Sequence, residues 1–423
     1  MRSPLGTAPR PAQGLRIVWV LKKQLDRATD RSARVEMVKA LQAAGHTVLL
    51  LTGKRSSTAD YGLGESLEFA RTLPWPGAFH LSFLLSVRAR VRRLVRAGRV
   101  DVVVFDPLSA VAILGALAGH RRRARASTPR VTLVMDVRSL PAPGRRWAAR
   151  GRRALFRMGV TVGASIAEGV TVISPALHEE LVQGSGLSAN KPWVVWSSAV
   201  DATRFDPRRF SADDVGRLRS DLGLENHYVV LYHGAMDMRR GLDALIRSFA
   251  VLRARGDDRA RLLLVGGDYD VQALRSLAAR EGLGEKIVFV DTVPYEMVPL
   301  YVAAADAGIV PLPDTAIWRT SSPLKLFEYL AMEKPVIVSD IRAHRDLVRP
   351  SCGACFMRGF GADAIAAAIE SVMAWDGDSV SASGGAATAK GAAARDLVMR
   401  EYSWSSQAGR MLAFVGELRG GPR

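Results

Sequence analysis

Cysteine is nearly absent, with two in 423 residues. Two cannot build a disulfide framework, and they cannot fill a four-cysteine zinc site. Long apolar runs are missing as well. No stretch reaches the ~18 residues that a membrane-spanning helix needs, and the longest uncharged one, Thr72 to Val87, carries two prolines and a histidine. The start, MRSPLGTAPRPAQG, is basic and Pro-rich, but Lys22 and Lys23 interrupt the apolar LRIVWVL that follows, so it does not read as a secretory signal. A cytoplasmic, reducing location is the plain reading.

What is present describes a folded protein, 48% hydrophobic and 24% charged. The length exceeds what one hydrophobic core usually serves, which favours two domains. The net charge of +18 is unevenly placed. Residues 1–200 hold 31 Lys and Arg against 12 Asp and Glu, while residues 201–423 hold 28 against 29. One half is strongly basic and the other is neutral, which points to different partners for the two.

Short apolar strand candidates alternate with longer helical patterns throughout, the signature of parallel sheets with crossover helices. In the first half the strands read at 15–21, 46–52, 100–106, 130–136 and 169–174, with a helix over 31–45 stopped by Gly45. The second half repeats the rhythm at 228–234, 260–267, 286–291, 307–312 and 334–340. Continuous apolar character in these strands implies that both sheet faces are covered. The polar stretch 197–214 reads as the interdomain linker, and the low-complexity 381–394 as a flexible loop or weak helix. The expectation is an α/β chain of two Rossmann-like, doubly wound domains facing a cleft. Residues 1–14 form a flexible N-terminus, 15–200 one domain and 201–402 the other. Open α/β sheets bind ligands outside the carboxyl ends of their strands.

Two stretches in the second half carry chemistry. In SSPLKLFEYLAMEKPVIVSD (321–340), Pro323 suits a first helical turn, Ser321 or Ser322 a cap, and the helix runs from about Leu324 to Met332. A helix start offers backbone N–H groups to a phosphate, Lys325 adds a mobile positive charge, and Glu328, on an exposed face one turn on, suits ribose hydroxyls. A capped helix with a solvated Lys–Glu pair explains the same residues. In YHGAMDMRRG (232–241), Gly234 lets backbone approach a ligand, and Arg239 and Arg240 suit a diphosphate. A basic surface turn is the bland alternative.

These stretches, together with LLLVGG (262–267), IVFVDTVPYEMVPLYVAAADAGIVPL (287–312), VISPALHEEL (172–181), VDATRFDP (200–207) and YSW (402–404), resemble the retaining GT-B glycosyltransferases of the group 1, family 4 type. The resemblance spans nearly the whole chain and is strongest in its second half. It implies transfer of a sugar from a nucleotide diphosphate sugar to a lipid-linked or other glycan acceptor, with no cofactor and no metal. It also implies a last helix, 403–423, that crosses back to the N-terminal domain. Carried over, Arg240 contacts the donor diphosphate with Arg239 as a less certain neighbour, and Lys325, Ser322 and the amides at Leu324 form the phosphate-binding helix start. Glu328 matches the second glutamate of an E-x7-E motif and holds the ribose, while Thr292 and Val293 bracket the nucleobase.

Three positions depart from the family pattern. Thr320 stands where the first glutamate belongs, Glu333 replaces a glycine before Lys334-Pro335, and the first loop, 21–32, has no glycine, leaving Arg31, Ser32 and Arg34 to supply contacts. Asp136 and Arg138, at a strand end, are acceptor-side candidates, with Asp136 a possible catalytic group; a capped loop or local ion pair explains them equally. Asp268-Tyr269-Asp270, the Cys352/Cys355 pair and His46 read as structural, and His233 as a satisfied core histidine. A GT-B-fold protein that is not a transferase, such as an epimerase or scaffold, is the alternative. The basic runs lack the interleaved aromatics of a nucleic-acid binder, so no nucleic acid is expected. The amphipathic LLSVRARVRRLVRAG (84–98) and the uncharged 74–85, with Trp75, Phe79 and Phe83, point to an anionic membrane surface, with the protein peripheral on the inner face of the plasma membrane.

Overall fold

A computed structural model describes residues 14–22, 31–53, 61–73, 75, 78–118, 130–141, 146–267, 269–381 and 385–420. The N-terminal stretch read as flexible (all but residue 14), most of the first loop (23–30), the basic run up to residue 129 and Asp268 lie outside them. The chain divides into two compact units, Met1–Ser197 with Trp404–Arg423, and Ser198–Ser403.

The first unit contains β1 (Arg16–Leu21), α1 (Arg31–Ala43), β2 (Thr47–Thr52), β3 (Leu67–Phe69), α2 (Ala78–Arg96), β4 (Val102–Phe105), α3 (Ala110–Leu117), β5 (Thr132–Val137), α4 (Arg146–Ile166), β6 (Gly169–Val172), α5 (Pro175–Gly184) and β7 (Trp193–Val195). Its seven strands are all parallel, in the order β3-β2-β1-β4-β5-β6-β7. The second unit contains α6 (Ala212–Asp221), β8 (Tyr228–His233), α7 (Leu242–Ala254), β9 (Ala260–Val265), α8 (Val271–Arg280), β10 (Ile287–Val290), α9 (Val298–Ala303), β11 (Ala307–Val310), α10 (Ala316–Arg319), α11 (Leu324–Ala331), β12 (Val336–Ser339), α12 (Arg342–Leu347), β13 (Ala354–Met357), α13 (Ala362–Ser381) and α14 (Gly385–Glu401). Its sheet is parallel, ordered β10-β9-β8-β11-β12-β13. The last helix, α15 (Trp404–Gly420), rejoins the first unit, where Gln407 accepts the Ser197 N–H at 2.8 Å and Phe414 packs over Gly169.

Both faces of the second sheet are buried, as the unbroken apolar runs require. Val229, Leu231, Leu263 and Val265 enter one core, and the intervening Val230, Tyr232, Leu262 and Leu264 enter the other. All ten strands read from the sequence are present. The three that were missed, β3, β7 and β13, are sheet edges of three or four residues and lack a long apolar run. The linker reading needs correction. Residues 198–214 are not a free linker, because Ala199, Val200 and Phe205 are buried in the second unit and Val200 N–H donates to Tyr402 O at 2.9 Å. Of the two alternatives for 381–394, the helix is present from Gly385, where α14 starts, and α14 buries Ala394 and Val398.

The glutamate in place of glycine before Lys334 has a visible cost. Glu333 sits at φ 60°, left-handed, just past the end of α11, where its N–H and that of Lys334 donate back to Leu330 and Tyr329. A side chain there costs about 1–2 kcal/mol in backbone strain. Glu333→Gly should therefore stabilise the protein by about 1 kcal/mol, raising the unfolding midpoint by about 2–4 °C in calorimetry. An unchanged or lower midpoint would mean that the carboxylate makes a compensating contact.

Candidate functional site

The strand ends of the second unit converge on a floor made of backbone. β8 ends at His233 and turns at exposed Gly234, φ 109°. β9 ends at Val265 and is followed by Gly266, φ 139°, where an added Cβ would lie 2.1 Å from Gly234 O. A methyl group at either residue would be strained, and at Gly266 it would also collide with the neighbouring backbone. Thr292 and Val293 follow β10 at the same end of the sheet, Thr292 exposed and Val293 half-buried.

Above this floor the loop 235–241 is fixed by its own polar groups. Asp237 accepts the Arg239 N–H at 2.9 Å and pairs with its guanidinium at 2.6 Å, so Arg239 already has a counter-charge. Asp270 accepts the Met238 N–H at 2.8 Å, a structural task for one half of the Asp-x-Asp pattern. The Trp318 indole donates to Arg239 O at 2.9 Å, and the Arg240 guanidinium lies over the Trp318 ring, 4.9 Å from its centre. Arg240 Nε is buried with no hydrogen-bond partner among the described residues.

Lys325, second residue of α11, meets Arg240 here. Its Nζ lies 3.4 Å from the centre of the Tyr232 ring and beside Gly234. It is not the mobile surface charge expected from sequence, being only 8% exposed. Burial pushes its pKa well below 10.5, Arg240 pushes it further down, and Glu328 only partly opposes them. Neither serine caps α11. Ser321 Oγ donates to Trp318 O, Ser322 Oγ accepts the Ser198 N–H at 3.2 Å, and Pro323 at the cap position offers no side-chain bond. The amides at Leu324 and Lys325 therefore keep the uncapped positive end of the helix dipole.

Glu328 is also not on an exposed face, at 2% exposure. The whole stretch Lys325–Ala331 is buried, because α11 lies against the sheet with Tyr329 donating to Leu231 O at 3.0 Å and resting on Gly308, where a Cβ would intrude on its ring. Glu328 Oε1 accepts the Tyr295 hydroxyl at 2.6 Å, and Oε2 lies 3.1 Å from His233 Nε2. Burial pushes this carboxyl up, but His233, the Tyr295 hydrogen bond and Lys325 together hold it below its ordinary value. His233, read as a core residue, is buried edge-on against Tyr329 and serves this carboxylate. Thr320, where the first motif glutamate would stand, is buried and donates its hydroxyl to Ala316 O at 3.0 Å. Tyr232, Tyr295 and Trp318 were missed because no motif marks them; their ring contacts exist only in the fold.

In the first unit, Asp136 is 1% exposed and accepts three donors: Arg34 Nη1 at 2.8 Å, Thr171 Oγ1 at 2.8 Å and Trp196 Nε1 at 3.0 Å. Arg138 donates to Trp196 O and stacks on the same indole at 3.4 Å. The local ion-pair alternative describes this geometry, and a base role would require Asp136 to surrender a bond. His46 is a turn residue, as expected, its Nδ1 accepting the Leu15 N–H at 2.9 Å. Cys352 and Cys355 are both free thiols. Among the described residues, no group of three or more His, Cys, Asp or Glu is arranged to hold a metal.

Two α/β units, each built on a parallel sheet, define an enzyme of the GT-B architecture. The Glycosyltransferase Family 4 model matches residues 35–204 and the Glycosyl transferases group 1 model residues 227–374. The chain belongs to the group 1, family 4 glycosyltransferases. It is 27% identical over 338 residues to the GDP-mannose-dependent alpha-(1-6)-phosphatidylinositol monomannoside mannosyltransferase of Mycolicibacterium smegmatis, covering 79% of this chain and 81% of that protein. Similar solved structures include a glycosyltransferase from Rickettsia africae, with TM-score 0.74, 16% identity and coverage of 97% of this chain and all of that one. Anabaena Alr3699/HepE in complex with UDP has TM-score 0.73, 15% identity and coverage of 95% and 100%.

The depressed Lys325 gives the site a signature. An anion beside it restores its proton, so binding takes up a proton wherever pH lies between the lowered value and 10.5. Affinity for inorganic diphosphate should fall as pH rises through that window, with uptake seen by titration calorimetry in two buffers of different ionisation heat. Lys325→Met should abolish the uptake. Proton-neutral binding by the unaltered protein would remove Lys325 from contact with the anion.

Proposed function

We propose that this enzyme transfers a hexosyl group, mannose from GDP-mannose being the first candidate, to a lipid-linked or glycan acceptor with retention of configuration and without a metal. The observation that carries the reading is the pairing of Arg240 and Lys325 over a glycine floor, with an ionised Glu328 behind them. A diphosphate supplies the missing negative charge, and Glu328 the acceptor for ribose hydroxyls. In the reaction the bond from the anomeric carbon to the diphosphate oxygen breaks and one to the acceptor oxygen forms. The acceptor proton passes to the leaving phosphate. Arg240, Lys325 and the α11 amides stabilise charge that grows on that phosphate, which is where positive groups accelerate transfer. The mannosyl and lipid elements rest on the mycobacterial relative, whose name specifies both. With GDP-mannose and radiolabelled sugar, Arg240→Ala should lower kcat roughly 100-fold with a smaller change in KM. Equal kinetics in mutant and parent would take Arg240 out of the chemistry.

The second element of the proposal is docking of the first unit on an anionic membrane, from the cytoplasmic side. No helix among the described residues is long and apolar enough to cross a membrane. On α2, Phe83, Val87, Val91 and Val95 are buried, so of the two alternatives for Phe83, interfacial contact or burial, it is burial. Leu81 and Leu85 remain exposed beside Arg88, Arg93 and Arg96. The neighbouring α3 exposes Val111 and Leu114, and α4, packed on α3, exposes Leu155 and Met158. A shallow groove on α2 is lined by Leu85, Arg88, Arg92, Arg93 and Arg96. Exposed leucines among arginines suit the headgroup boundary, each basic group near an anionic leaflet contributing about 1 kcal/mol. The protein should sediment with phosphatidylglycerol vesicles, be released by added salt and ignore phosphatidylcholine vesicles. Salt-independent or absent sedimentation with both would end this part while leaving the transferase reading intact.

A further inference from the structure

Glu328 presents a difficulty for the role proposed for it. A carboxylate that is 2% exposed, with one oxygen on Tyr295 and the other beside His233, has no open face for a ribose diol. Something must give way, and the two partners differ. His233 closes β8, is itself buried, and is wedged edge-on against the fully buried Tyr329 at 5.2 Å between ring centres. Tyr295 is half-buried on a single turn of 3-10 helix, Tyr295–Met297, two residues after Val293. Its ring is steadied by the Arg204 guanidinium at 4.9 Å and by Phe205 at 5.8 Å, contacts that a rotation or small shift of this turn can loosen.

We infer that Tyr295 is a positioning residue of the ribose end of the site: its phenol stands in for a ribose hydroxyl on Glu328 Oε1 and yields that oxygen to the sugar when the nucleotide binds. The two donors are chemically alike, each an O–H offered to the same ionised oxygen. The stand-in keeps the carboxylate desolvated and in one rotamer, so binding exchanges one hydrogen bond for another and does not create one from solvent. It also couples the ribose to the nearby strand-end residues Thr292 and Val293, since Tyr295 moves on the same short segment. The inference rests on the second unit being the donor site.

The competition has a sign that simple support of Glu328 does not share. Tyr295→Phe keeps the ring and its contacts with Arg204 and Phe205 but removes the competing hydroxyl. By calorimetry, GDP and UDP should each bind the variant about 3- to 10-fold more tightly than the parent, while their 2′,3′-dideoxy forms bind both proteins equally. Arg204→Ala, which frees the ring without touching the hydroxyl, should shift ribonucleotide affinity in the same direction by less. Weaker or unchanged ribonucleotide binding in Tyr295→Phe, or an equal gain for the dideoxy forms, would overturn the inference while the donor site stands. Failure of the parent protein to bind either diphosphate would overturn the donor-site reading itself, and this inference with it.

Discussion

Two cations held close together, Arg240 and Lys325, neither of them in a salt bridge among the described residues, form the constraint on which the second unit depends. Arg239 is paired with Asp237, whereas Arg240 lies over the Trp318 ring and Lys325 over the Tyr232 ring, and Asp237 and Glu328 act on these two charges only at longer range. Ring faces attract cations weakly compared with a carboxylate, so the pair is stabilised enough to persist and far from satisfied. Glu328 is engaged by Tyr295 and His233. The fold maintains this imbalance through packing. The bare glycines at 234 and 266 bring backbone up to the site, and Gly308 lets Tyr329 lock α11 against the sheet. This arrangement favours an anion, which is the basis of the diphosphate proposal. The pKa directions agree with the geometry, Lys325 being driven toward neutrality and Glu328 kept ionised by its partners.

The first unit is organised on the opposite principle. Asp136 and Arg34 are buried as a matched pair, and the carboxylate also collects the Thr171 hydroxyl and the Trp196 indole, whose ring carries Arg138. A buried pair this fully hydrogen-bonded is a fixed structural joint, expensive to break. Its position at the ends of β5, β6 and β7 makes it a rigid base for the loops there. Charge available to partners lies instead on the outer helices, where the arginines of α2 accompany exposed leucines.

The sequence was legible where a single physical rule decided the outcome. Unbroken apolar runs marked every strand buried on both faces, and the resemblance placed α11, Arg240 and Lys325 at strand ends in one unit. The edge strands β3, β7 and β13 escaped because short, half-exposed pairing leaves no distinctive pattern. Glu328 was read as exposed because helical periodicity alone cannot show that both sides of an eight-residue helix are covered. Ser321 and Ser322 looked like caps by type, yet their hydroxyls are engaged with Trp318 and Ser198. Glu333 is the reverse case: a glutamate in place of glycine implied a turn that differs or is strained, and the backbone there is left-handed at a residue with a side chain.

A binding ladder tests the central claim, that the second unit holds cations awaiting a diphosphate. Guanosine, GMP and GDP, with uridine, UMP and UDP beside them, would be titrated calorimetrically over a salt series. The account predicts that the second phosphate adds more affinity than the first for at least one base, and that the added part weakens steeply with salt. Affinity that is equal for nucleoside and diphosphate, or insensitive to salt throughout, would contradict it.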